Sequence, residues 1–131
     1  MAPAKNPFEI EHIISDHFER FAKDFNDPND FNQWRNNIGA LLLLHKSINA
    51  SISDSNFSGK LEAYETKGNI FTASLGKSGY NDHPRFNKFI EENNLPFRHY
   101  DDKFGKKEIK ERNNLVLQLS KLMWNNDMFI E

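Results

Sequence analysis

No cysteine occurs in the 131 residues, so disulfides and thiolate metal sites are both excluded. Nor is there a run approaching the roughly 18 consecutive apolar residues that a membrane helix requires. The opening Met1 to Lys5 carries one lysine with no apolar stretch behind it, unlike a secretory signal, and a cytoplasmic location is expected. Positive charge is not in excess. The formal net charge is -2 and the isoelectric point about 6.2, which argues against a stand-alone nucleic-acid binder driven by a bulk positive field. Any contact with DNA therefore needs a local patch or a second domain. A phosphate-cradling glycine loop of the Walker type is also missing, as are internal repeats and low-complexity tails.

What remains is one domain with one core. Phe8, Ile10, His12 and Ile14 alternate with Glu9, Glu11 and Ile13, the period-two pattern of a strand. Asp16 with Glu19 three residues on matches a capping box, and Phe18, Phe21, Ala22 and Phe25 continue at helical spacing. Asp27-Pro28 opens a second helix that should carry Phe31, Trp34 and Ile38 inward. The run from Gly39 to Leu44 predicts a strand buried on both sides and paired with the first. Residues 45–56 are rich in turn formers and predict a loop. A helix is expected from about Asn56 to Lys67, with Phe57, Leu61 and Tyr64 on one face. Another starts at Pro84 and buries Phe86, Phe89 and Ile90. The last spans about Lys106 to Trp124 along Ile109, Val116, Leu119, Leu122 and Met123. The expected fold is a helix-rich α+β domain around a small two-stranded element. A flexible start at 1–7 precedes the domain at 8–131, divided into a core at about 8–67 and a helical remainder at 68–131.

Glu11-His12 on the first strand, a second apolar strand, a loop carrying Asn49 and then a helix give the order strand, strand, helix. This order resembles the His-Me finger, or HNH-type, nucleases with their ββα-metal site. The stretch RNNIGALLLLHKSINASISDSNFSGK, Arg35 to Lys60, is similar to the C-terminal nuclease domain of GmrSD-type modification-dependent restriction endonucleases. Two positions depart from that pattern. Ala40 stands where the second strand often has a loop-bracing asparagine, and Ser15 and Asp16 stand where a proline usually follows the histidine.

The resemblance implies a metal-dependent DNA endonuclease domain of a prokaryotic restriction or anti-phage system. Its substrate would be DNA, modified or not, and its partner an NTPase-like, modification-sensing domain or subunit. A histidine suits the water-activating step because its ordinary pKa lies near neutrality. By resemblance His12 is the general base, while Glu11 and the side-chain carbonyl of Asn49 supply oxygen ligands to Mg2+ or Mn2+. Lys60, Arg35 and Lys46 are the candidate contacts to DNA phosphates. Asn56 is either a second amide near the metal or a helix cap. Among the other histidines His45 stands nearest to Asn49, and none shows zinc-site spacing. Strict strand alternation puts Glu11 and His12 on opposite faces, so both serve one site only if the strand twists or ends there. The competing reading is a catalytically silent module of the same fold that binds DNA or docks a partner.

Overall fold

The computed structural model describes residues 6–127, with side chains as far as Trp124; residues 1–5 of the start expected to be flexible, and 128–131, lie outside these. A short antiparallel pair carries the front of the domain. Strand β1, Phe8–His12, pairs with β2, Leu41–His45, in the register Glu9 to Leu44, Glu11 to Leu42 and His12 to Leu41. Among the described residues six α-helices accompany it: α1 Pro28–Arg35, α2 Lys46–Ile52, α3 Phe57–Lys67, α4 Ile70–Ala73, α5 Pro84–Glu92 and α6 Lys106–Asp127. The helix-rich α+β class expected from the sequence is the one observed.

The alternation of β1 sorts its side chains between two environments. Glu11 points inward, beside Leu42 and Leu44 of the partner strand, while Ile10 and Leu43 on the opposite face are 62% and 53% exposed. The second strand is thus buried on one side only. A two-stranded ribbon has two faces and α-helical cover for just one of them, so Leu43 stays at the surface and Leu41 is only partly covered. Its start also moves: Ile38–Ala40 form a 3-10 turn instead of strand. Ile38, expected to face inward, is 57% exposed there.

That turn is pressed against α6. A Cβ on Gly39 would lie 2.5 Å from the Ile109 carbonyl oxygen and 2.6 Å from the Asn113 backbone nitrogen, so only glycine fits the approach. The Gly39 amide donates to Asn113 Oδ1 at 2.7 Å, and Asn113 Nδ2 donates to Asn37 Oδ1 at 3.0 Å. Ala40 is fully buried, and Asn113, from a distant helix, braces the segment.

Two segments depart from the sequence expectation. Residues 18–25 form only a 3-10 turn at Phe18–Arg20. Phe18, Phe21 and Phe25 all converge on Phe31 of α1, with ring centroids 5.6, 5.7 and 5.2 Å away. His17 and Arg20 are meanwhile bonded to Asp54. These tertiary contacts outweigh a short, aromatic-rich helix whose nucleation is costly. Conversely, the expected loop at 45–56 contains α2, capped by His45 Nδ1 on the Ser47 amide at 3.3 Å and buried through Ile48 and Ile52 at i, i+4 spacing. Asn56 caps α3 through the Gly59 amide at 2.9 Å, and Asp27 caps α1 through the Asp30 amide at 2.7 Å. Phe89 of α5 and Met123 of α6, expected inside, are 40% and 62% exposed, while Leu115, absent from the expected stripe, is buried.

Candidate active site

The end of β1 opens onto a cleft of about 230 Å³ whose lining includes His12, Asp16, Arg35, Asn49 and Asp54, with Glu11 and Lys60 beneath. A larger cavity, about 540 Å³, lies on the other side of Ser15 and is lined by Arg20, Asn56, Phe57, Phe104 and Lys107, with no histidine. The chemistry-bearing residues gather at the smaller cleft.

His12 is partly buried, and its Nε2 lies 2.8 Å from Asn36 Oδ1. Asn36 is the residue that ends α1, and its Nδ2 donates to the Asn32 carbonyl at 2.7 Å. That bond fixes which end of the amide is the donor. The end facing His12 is therefore the oxygen, an acceptor only, and the proton of the neutral ring belongs on Nε2. Among the described residues no hydrogen bond occupies Nδ1, which keeps its lone pair.

On the opposite face of the strand, Glu11 is 3% exposed and enclosed. Its Oε2 accepts from the Tyr64 hydroxyl at 2.9 Å and lies 3.4 Å from Lys60 Nζ. Lys60, 1% exposed, also donates to the His12 backbone carbonyl at 2.7 Å. Burial lowers the pKa of the Lys60 ammonium, and the charge of Glu11 opposes that shift. Burial raises the Tyr64 phenol above its ordinary value, with the Glu11 charge adding in the same direction. The site residues thus divide. Lys60 is enclosed at the floor of the cleft, on the inward face of its helix together with Leu61 and Tyr64. Arg35 donates from Nε to the Ile14 carbonyl at 3.1 Å and lines the cleft. Lys46 is exposed at the start of α2 and, like His45 and Asn56, stays outside the cleft lining.

Of the two residues expected to hold a divalent ion, Asn49 offers an uncommitted oxygen and Glu11 is already engaged. Asn49 Nδ2 bonds Glu9 Oε1 at 3.1 Å, leaving its carbonyl oxygen uncommitted. Glu11, however, already faces an ammonium group, and a cation placed there would meet like charge. Among the described residues no group of three or more His, Cys, Asp or Glu side chains is arranged to hold a metal.

Asn36, Tyr64, Asp16 and Asp54 join the site although none was a site candidate in the sequence. For Tyr64 the signal was present, one turn after Lys60 on the buried face of α3. For Asn36 there was none, since its partner lies 24 residues away in the chain.

Among the described residues no helix is long and apolar enough to cross a membrane. Neither the curated proteins nor the solved structures contain a match to the chain. The family model described as GmrSD restriction endonucleases, C-terminal domain, matches residues 2–119, and the chain belongs to that family.

Proposed function

We propose that the chain is a nuclease domain that hydrolyses DNA phosphodiesters, with His12 as the general base. The observation that carries this reading is the state of the His12 ring: tethered at Nε2 by an amide oxygen, with Nδ1 uncommitted beside an open cleft. A neutral imidazole so held takes a proton from water at Nδ1 as the water oxygen bonds to phosphorus. The bond from phosphorus to the leaving oxygen then breaks, and solvent protonates that oxygen. Arg35, whose guanidinium is held at Nε and, among the described residues, nowhere else, lies at the cleft to meet phosphate charge.

The family resemblance adds magnesium or manganese, a modified DNA substrate, a cytoplasmic restriction or anti-phage system and an NTPase-like sensing partner to the proposal. A near-neutral chain that borrows DNA affinity from such a partner is consistent with its net charge. The second reading, a silent DNA-binding or docking module, draws on one observation: the Glu11 carboxylate is committed to Lys60 and Tyr64.

Cleavage of supercoiled plasmid separates the two. The wild-type chain is expected to nick with added magnesium or manganese and to stop with a chelator. His12→Ala is expected to lose about 10²- to 10⁴-fold in rate, the usual worth of a positioned base. Wild-type cleavage that survives in His12→Ala removes the general-base assignment. Activity that survives the chelator removes the metal requirement.

A further inference from the structure

Beneath the cleft, Lys60 and Glu11 are charged, buried and unused by the proton transfer. Enclosing two charges costs desolvation, and apolar replacements of such pairs are often equally stable, so stability is a weak reason for the pair. Its geometry points elsewhere. The Lys60 ammonium donates to the carbonyl oxygen of His12 itself, the last residue of β1. Glu11, one residue earlier and on the inward face, lies 3.4 Å from the same ammonium, and the Tyr64 hydroxyl binds the carboxylate from one turn along α3. Charge-assisted bonds of this kind are the shorter and stronger ones. Because α3 sits in the core, with Tyr64 wholly buried, the strand end is anchored to a rigid body. Asn36 grips the ring of His12 from the other side. The backbone and the ring of one residue are therefore held independently.

We propose that Lys60, together with Glu11 and Tyr64, is a positioning network that fixes the backbone of His12 and with it the direction of the Nδ1 lone pair, an inference that rests on His12 being the base. None of the three touches the reacting atoms. The test replaces the network by apolar groups of similar size, Glu11→Leu, Lys60→Met and Tyr64→Phe together, and compares this triple variant with the wild type. Melting temperature reports the fold. The ¹³C signal of the His12 carbonyl and the ¹⁵N signals of its ring report its position without reference to activity, and steady-state cleavage separates kcat from KM.

The triple variant is expected to fold, to shift the His12 carbonyl signal, to broaden the ring signals and to lose about 10- to 100-fold in kcat at little-changed KM, as misplacement of a reacting group does. A folded triple variant with wild-type His12 signals and wild-type kcat overturns the proposal. Should the triple variant not fold, Tyr64→Phe, which keeps the ring and the ion pair and removes one hydrogen bond to Glu11, is expected to move the same signals and kcat in the same direction; no movement in either overturns it. If the wild type cleaves nothing while the variants shift the His12 signals, the nuclease reading fails and the anchoring of His12 stands.

Discussion

Removing one member of the Lys60–Glu11 pair differs in kind from removing both. Lys60→Met alone leaves a carboxylate 3% exposed with only the Tyr64 hydroxyl for company. That uncompensated charge should cost about 3–5 kcal/mol, read as a fall in the urea midpoint at constant slope. The triple apolar variant should lie within about 1–2 kcal/mol of the wild type. A Lys60→Met protein as stable as the wild type contradicts the enclosure of Glu11. Arg112 supplies the complementary case. It is 2% exposed, stacked with its guanidinium carbon 4.6 Å from the Phe71 ring centre, and its Nε and Nη2 have no hydrogen-bond partner among the described residues. Burial accordingly lowers its pKa. Arg112→Met exchanges a desolvated, incompletely bonded cation for an apolar side chain, so its unfolding free energy should equal or exceed that of the wild type. A loss of several kcal/mol would show that the cation itself is needed in the core.

At the scale of elements, the 38–40 turn lies so close to α6 that a Cβ on Gly39 would meet the Ile109 and Asn113 backbone. Gly39→Val should destabilise by about 1–3 kcal/mol or more, because the new atoms meet backbone and not a flexible side-chain end. Asn113→Ala should cost about 1–3 kcal/mol by leaving the Gly39 amide without its acceptor. Thermal unfolding checks both, and a Gly39→Val protein of unchanged melting temperature would place the turn away from α6. Helices α1, α3, α5 and α6 were legible because proline, asparagine and apolar spacing mark their ends and faces locally. The segment 18–25 was not legible, since its three phenylalanines serve a cluster around Phe31 as well as they would a helical stripe. Helix α2 was hidden by its polar composition, although Ile48 and Ile52 carried a weak trace of it.

For the whole molecule, every tyrosine reports on folding. The chain has three, and Tyr64, Tyr80 and Tyr100 are all raised above the ordinary phenol value, first by burial, with Tyr80 pushed up to about 12. Above about pH 10 the unfolded chain gives up phenolic protons that the native chain keeps. Since the unfolded state then binds fewer protons, stability falls as pH rises. Lys60 acts with the opposite sign: its lowered native value makes the unfolded state the better proton binder up to about pH 10.5, where stability gains slightly. Above that, the tyrosines prevail. Tyrosinate absorbance is expected to appear only as the protein unfolds, and titration near pH 10 in a still-folded chain would contradict the burial. On the acid side, Arg98 lowers the pKa of Glu111 through hydrogen bonds from its Nε and Nη2. The pair contributes above pH 4.5 and is lost as pH falls through the lowered native value, though at 46% and 30% side-chain exposure solvent screening holds it below about 1 kcal/mol. Family, fold class and the order strand, strand, helix were in the sequence, because they depend on local periodicity, caps and short motifs. So was His12 as a candidate, along with the alternation that separates it from Glu11. Only the tertiary structure decided that Lys60 turns inward to Glu11 and that Asn36 meets His12. Those contacts join residues 49 and 24 positions apart, and no local pattern encodes which distant side chain a buried charge or a ring nitrogen will find.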